Sequence, residues 1–206
     1  MVTKRATPAP VPGPPGAAAD AGAKRAERDG GTGWLLLVYR VPSEPTRLRA
    51  TVWRRVRGLG AIYLQNSAAA LPDSQVNERA LRRLRREIRD MAGTAILMRC
   101  TAIAGNAEVV AAFQAARNDE YEEIVDRARD FLAQVEKEHV ADHFTYAELE
   151  ENEVDLTKLK NWLIKVRDRD TLSASGYTDA ERILVECEQS LEAYAAQVYA
   201  RESEAH

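Results

Sequence analysis

Six arginines occupy the thirteen-residue segment ERALRRLRREIRD, which spans residues 78–90. In a helix, Arg79, Arg82, Arg86 and Arg89 would follow one another at spacings of three and four residues along one face. Guanidinium groups bind phosphate and other oxyanions through paired hydrogen bonds. The spacing therefore predicts an exposed stripe, about 15 Å long, that binds nucleic acid or small anions. We call these four residues the arginine ribbon.

The charges of the chain are divided between its two halves. Residues 34–101 contain thirteen arginines, no lysine and five acidic residues, whereas residues 106–206 contain eleven basic and twenty-four acidic residues. The formal net charge of −3 conceals this division. Such a separation favours an anionic partner for the basic half, or contact between the two halves. A solvated ribbon without a partner is a third interpretation that the sequence leaves open.

A second arginine-rich segment precedes the ribbon. Residues 43–60 are predicted to form a helix whose polar side carries Arg54, Arg55 and Arg57. Trp53 lies at the border of the apolar stripe of this helix, where a position at the edge of the core is favoured over a platform for stacking bases. We therefore predict one basic surface, composed of these three arginines and the ribbon.

The elements that hold these arginines follow one another in the order β-α-β-β-α-β. Apolar runs at 34–41 and 94–102 predict buried strands, and a hairpin is predicted around the turn at 66–67. The ribbon helix is predicted to begin at Asn77 and to end at Gly93. This order is typical of an α+β, ferredoxin-like βαββαβ domain, in which both helices cover one face of an antiparallel sheet.

Residues 106–206 are predicted to form an acidic, all-helical hairpin or bundle. Apolar residues recur there at alternating spacings of three and four, as in helices that pack along a seam. We expect this half to support homodimerisation or the docking of a partner. The predicted seam positions are Tyr121, Val125, Ala128, Leu132, Val135 and His139 in the first helix, Leu156, Leu159, Leu163 and Val166 in the second, and Ala180, Leu184, Cys187, Leu191, Tyr194 and Val198 in the third.

Residues 1–33 are rich in proline, alanine and glycine and contain few large apolar residues. A segment of this composition buries too little surface to offset the entropy of ordering, so we predict a disordered leader. The domains are accordingly expected at 34–105 and 106–206. No apolar run approaches the roughly 18 residues that a membrane span needs, and no secretory signal is recognisable. We therefore expect a cytoplasmic protein without a membrane partner.

Other residue patterns give no site. His139 and His143 have a spacing that suits a divalent metal on one helical face, but the glutamate of zinc proteases is missing between them. The acidic run at 148–155 lacks the central glycine of a calcium loop. Cys100 and Cys187 lie in apolar patterns, as packing residues do. We therefore predict no catalytic residue, no metal site and no cofactor, in a protein that is not an enzyme.

Two phrases of the sequence, WLLLVYRVPSEPTRLRATVWRRVRGLGAIYLQ and FTYAELEENEVDLTKLKNWLIKVRDRD, resemble the N-terminal region of ChrB-type chromate resistance proteins. The resemblance extends from Trp34 to Ala200. It implies a cytoplasmic bacterial protein associated with chromate export, in which ChrB regulates the resistance operon in response to chromate and binds its promoter DNA. The second, C-terminal chromate-resistance domain of full-length members has no counterpart before His206, so we expect sensing to be absent or supplied by another protein.

The residues and the resemblance together predict a regulator or accessory protein of chromate resistance. DNA phosphates would bind the ribbon together with Arg54, Arg55 and Arg57. An oxyanion module that binds chromate through the same guanidinium groups is the alternative. The first domain is also reminiscent of small CRISPR adaptation nucleases, which use an aspartate at the end of the first strand. Here that strand ends at residues 39–42 without a carboxylate, which disfavours a metal-dependent nuclease.

Overall fold

The computed structural model describes residues 31–205 of the chain. Its sheet contains the strands β1 (Trp34–Arg40), β2 (Ile62–Gln65), β3 (Ala68–Pro72) and β4 (Thr94–Cys100). All neighbouring strands are antiparallel, and their order across the sheet is β2-β3-β1-β4. The two central strands are therefore joined to the edges by crossovers, as the predicted ferredoxin-like order requires.

Two short helices, α1 (Arg47–Gly58) and α2 (Gln75–Asp90), cover one face of the sheet. Alternate residues of a strand point to opposite faces, so Leu35 and Leu37 of β1 point to the same side. Both are buried in one cluster with Val52 and Val56 of α1 and with the apolar side of α2. The predicted α+β class and the β-α-β-β-α-β order are confirmed.

The boundaries of α2 differ from the predicted ones. The helix begins two residues before Asn77, because the side chain of Ser74 accepts a hydrogen bond from the Asn77 backbone N–H at 3.1 Å. At the other end, the left-handed residue after the helix is Ala92, with φ of 58°, rather than Gly93. The Gly93 N–H donates to the Ile88 carbonyl at 2.9 Å, which completes the bonding pattern of a Schellman motif.

Replacing Ala92 with glycine is expected to raise the free energy of unfolding by about 0.5–1 kcal/mol. The left-handed Cβ costs roughly 1–2 kcal/mol, and the larger unfolded-state entropy of glycine offsets part of the gain. The matched change, Gly93→Ala, should destabilise the fold, since its Cβ would lie 2.6 Å from the Arg40 carbonyl oxygen. Urea unfolding of both variants measures the two effects. Equal stability of Ala92→Gly and Gly93→Ala would contradict this account.

Three long helices follow the sheet: α3 (Asn106–Val140), α4 (Tyr146–Arg169) and α5 (Tyr177–Ala205). The predicted seam of α5 is confirmed, because all six of its positions are buried. In α3, three of the six predicted positions are buried, and the other three lie one residue after the buried ones. Ile124, Phe131 and Glu138 are buried, whereas the predicted His139 is exposed. Val125 and Leu132 are only partly buried at the border of the bundle core.

The first turns of α3 also cover part of the second sheet face. The Trp34 ring lies 6.2 Å from the Phe113 ring in an edge contact, and Trp34 Nε1 donates to Asn106 Oδ1 at 2.9 Å. Phe113 therefore belongs to the core of the sheet although it lies on a bundle helix. The boundary between the domains at 105 and 106 stays a prediction. The leader predicted at 1–33 lies outside the described residues, except for its last three.

None of the helices in the described part of the chain is long and apolar enough to cross a membrane.

Candidate nucleic-acid interface

The ribbon helix α2 separates apolar from basic side chains as its spacing predicts. Leu81, Leu84 and Ile88 are at most 3 % exposed and pack on the sheet. The four ribbon arginines are all exposed. Because the apolar residues recur at spacings of three and four, they determine which side of α2 is buried and leave the ribbon on the opposite side.

One ion pair joins α1 to α2 beside the ribbon. Arg55 Nη1 donates to Glu87 Oε1 at 3.0 Å, which brings the outer sides of the two helices together. Arg54 is exposed next to this pair on the outer side of α1. Arg57 departs from the predicted surface, because its Cζ lies 5.2 Å from the centre of the Trp53 ring on another flank of α1. The structure thus ties Arg55 to the ribbon helix, leaves Arg54 exposed on the outer side of α1, and places Arg57 beside Trp53.

An acidic residue of α2 partly neutralises the start of the ribbon. Glu78 accepts a hydrogen bond from Arg82 Nε at 2.7 Å and another from Arg99 Nη2 at 2.6 Å. The hydrogen bond from Arg82 is the main cause that lowers the pKa of the Glu78 carboxyl. Among the described residues, Arg79, Arg86 and Arg89 form no ion pair, so three of the four ribbon arginines have no carboxylate partner.

Two arginines that the sequence analysis did not assign support this surface. Arg85 donates from Nε to the Ala95 carbonyl of β4 at 3.0 Å and so fixes α2 against the edge strand. Arg99 of β4 donates from Nε to Asp73 Oδ2 at 2.6 Å. This bond is the main cause that raises the pKa of the Arg99 guanidinium. Because alternate side chains of β4 point to opposite faces of the sheet, the sequence could have placed Arg99 on the helix-covered face. Its two acidic partners could not be predicted, because only the tertiary fold brings them to it.

The acidic half does not cover the ribbon. Within residues 31–205, no ion pair joins a ribbon arginine to the acidic run at 148–155. In that run, Glu148 lies 4.0 Å from His143 Nδ1, and Asp155 pairs with Lys158 at 2.8 Å. Neutralisation of the ribbon by this run, one of the three interpretations of the sequence, therefore has no contact to support it.

A second charged cluster joins the basic and acidic halves at a different place. Arg117 of α3 is buried and donates to the Gly60 carbonyl at 2.7 Å and to Glu120 at 2.6 Å. Arg169 of α4 donates to the other oxygen of Glu120 at 2.5 Å and to the Gly58 carbonyl at 3.1 Å. We call Arg117, Glu120 and Arg169 the latch. Burial is the main cause that lowers the pKa of the Arg117 guanidinium.

The latch satisfies carbonyl groups at the C-terminal end of α1. The last carbonyls of a helix lack partners within the helix and carry partial negative charge, so cations are favourable there. The sequence analysis missed this cluster because charged residues of a helix are normally assigned to solvent. The pair of glycines at 58 and 60, which leaves such carbonyls accessible, is the signal that could have indicated it.

The histidine pair does not share a helical face. Helix α3 ends at Val140, so His139 lies on the helix and His143 in the following turn. His139 makes an edge contact with Phe144, at 5.2 Å between ring centres. Among the described residues, no group of three or more histidine, cysteine, aspartate or glutamate side chains has the geometry to hold a metal ion.

A comparison with family models identifies the relatives of this chain. Residues 49–205 match the family described as Protein ChrB, N-terminal. The match begins in α1 and includes the ribbon, the latch and all three long helices. A search of curated proteins gives no match. The chain belongs to the ChrB N-terminal family, and this membership implies a role related to chromate resistance.

Proposed function

We propose that this member of the ChrB N-terminal family is a non-enzymatic regulator or accessory protein of chromate resistance that binds DNA through the arginine ribbon. The observation that carries the proposal is the exposure of all four ribbon arginines on the side of α2 that faces away from the sheet. Arginine binds phosphate with two parallel hydrogen bonds, which lysine does not. The absence of lysine from 34–101 is what a phosphate-binding surface favours.

The length of the ribbon suits a DNA backbone. Arg79 and Arg89 are ten residues apart, or about 15 Å along the helix. One strand of duplex DNA carries a phosphate per roughly 3.4 Å of helix axis, so the ribbon spans about four phosphates. Arg54 and Arg55 widen this surface across the ion pair with Glu87. Phosphate contacts of this kind hold a protein on DNA without reading its sequence.

The charge division supports an oriented approach to DNA. A protein with a net charge of −3 would gain little from DNA if its charges were evenly mixed. DNA attracts the basic half of the chain and repels the acidic half, which favours encounters that place the ribbon on the duplex. We further propose that the acidic helices serve dimerisation or the docking of a partner.

Replacing Arg79, Arg82, Arg86 and Arg89 together with glutamine is expected to weaken binding to duplex DNA by at least about a hundredfold, since four phosphate contacts are lost. The thermal stability should stay nearly unchanged, because exposed substitutions usually alter it by less than about 0.5 kcal/mol. Fluorescence anisotropy of a labelled duplex from the chromate-resistance promoter measures the affinity.

The matched control removes four positive charges from the long helices. Arg127, Arg129, Lys165 and Arg182 are exposed, and their replacement with glutamine changes the net charge by the same amount. We expect this control to keep most of the affinity. Equal losses in the two variants would assign the effect to net charge, and full binding by the ribbon variant would refute the proposed DNA contact.

A further inference from the structure

A cleft of about 880 Å³ opens where β1 ends, apart from the ribbon. Its walls come from the end of β1, the following loop, α1, β2 and the turn between β2 and β3. We call it the strand-end cleft. Sites for small ligands commonly have volumes of about 300–1,000 Å³ and combine an apolar wall with a few polar groups.

The apolar wall of the strand-end cleft is the indole ring of Trp53. This side chain is 49 % exposed, so about half of it faces solvent. Trp53 lines both this cleft and a neighbouring one, and Arg57 lines only the neighbour, with its Cζ 5.2 Å from the indole centre. The guanidinium therefore covers the ring from the neighbouring side and leaves the ring accessible from the strand-end cleft.

Two tyrosine hydroxyl groups provide neutral hydrogen-bonding groups in the same cleft. The oxygens of Tyr39 and Tyr63 lie 2.8 Å apart. Burial, followed by this hydrogen bond, raises the pKa of Tyr63 above its usual range, so its hydroxyl stays protonated near neutral pH. The two hydroxyl groups, which bond to each other, keep one O–H donor and several acceptor lone pairs for the polar edge of a ring.

The charged groups of the cleft favour an anion. Arg40 and Arg49 both line it, against the single carboxylate of Glu44. Arg49 donates from Nη2 to the Ser43 carbonyl at 3.1 Å, which holds its guanidinium beside the loop. An arginine held in this way keeps further N–H groups for an oxyanion.

We infer that the strand-end cleft binds a nucleotide, with the base stacked on Trp53 and the phosphate on Arg40 and Arg49. A free oxyanion would make no stacking contact with the indole, and an uncharged ring would make no ionic contact with either arginine. Base stacking on an aromatic side chain does not depend on base identity, so the class of ligand is defined but the base is not. The inference goes beyond the proposed DNA contact and does not depend on it, because no ribbon arginine lines this cleft.

The test is calorimetric titration of the whole chain with AMP, UMP and inorganic phosphate, and with a short single strand of thymidines. A free nucleotide as the source predicts binding of AMP or UMP, whereas an unpaired nucleotide of a strand predicts binding of the thymidine strand alone. In either case Trp53→Ala should weaken binding at least about tenfold, as the loss of one stacked base does. Trp53→Phe, which keeps an aromatic face, should restore most of the affinity.

Arg49→Gln should weaken binding at least about tenfold, as the loss of a charge-assisted phosphate contact does, whereas Arg47→Gln, on the same helix and outside the cleft, should not. The ribbon variant should bind AMP as the unaltered chain does, which separates this inference from DNA binding. Circular dichroism verifies that each variant is folded. Failure of all nucleotide probes, affinity for phosphate equal to that for AMP, or nucleotide binding unaffected by Trp53→Ala would overturn the inference.

Discussion

Between about 50 and 200 mM salt, the affinity of this chain for duplex DNA is expected to fall by roughly one to two thousandfold. Each phosphate that an arginine neutralises releases a counterion, so the logarithm of the affinity falls linearly with the logarithm of the salt concentration. Six arginines, the ribbon together with Arg54 and Arg55, give a slope of about −5 if each contacts one phosphate. Anisotropy titrations at a series of salt concentrations measure this slope.

The same titrations distinguish the ribbon from the rest of the basic half. Loss of the four ribbon contacts should change the slope to about −2, so that the same rise in salt costs roughly tenfold in affinity. Arg55 is paired with Glu87 and Arg82 with Glu78 in the absence of DNA. The free energy that these two arginines contribute to DNA binding is reduced by the loss of these ion pairs. The control variant of the long helices should keep the original slope. A slope that is identical in the ribbon variant would show that DNA contacts another surface.

The ribbon could be predicted from the sequence because one periodic pattern determines both of its sides. Leu81, Leu84 and Ile88 fix the buried side of α2, and the four ribbon arginines on the opposite side are then exposed. The order of strands and helices along the chain could also be predicted, because short apolar runs mark the strands and turn residues separate them. Ala69 and Ala70, which are weak strand formers, are 1 % exposed in β3, so close packing on both faces of the sheet overrides their low propensity.

The seam of α3 could not be predicted with equal certainty. Apolar residues stand at both 124 and 125 and at both 131 and 132, so two rotations of the helix fit the pattern. The structure selects the rotation that buries Phe131 and also Glu138, a charged residue. Glu138 accepts hydrogen bonds from Gln134, one turn earlier in α3, at 2.7 Å and from Asn152 of α4 at 2.8 Å, and only the packing of the bundle brings Asn152 to it. Periodicity contains no information about such partners.

Removal of the negative charge of Glu120 from the latch is the single substitution from which we expect the largest loss of stability. Glu120→Gln should lower the free energy of unfolding by about 3 kcal/mol or more, because it leaves two guanidinium groups facing each other without the carboxylate that they share. Arg117 is 3 % exposed and Arg169 23 %, so water screens them poorly. For a chain of this size the midpoint of thermal unfolding should fall by about 6–12 °C. Calorimetry and urea unfolding measure both quantities.

Glutamine at 120 preserves the shape of the side chain, so a large loss would report charge rather than a cavity. The exposed neighbour Glu122 is the matched control, and Glu122→Gln should change the stability by less than about 0.5 kcal/mol. If repulsion between the two arginines is the cause, Arg169→Gln should recover part of the loss in the Glu120→Gln background, although it destabilises the unaltered chain. Additive effects of these two changes, or a Glu120→Gln variant as stable as the control, would contradict the role of the latch.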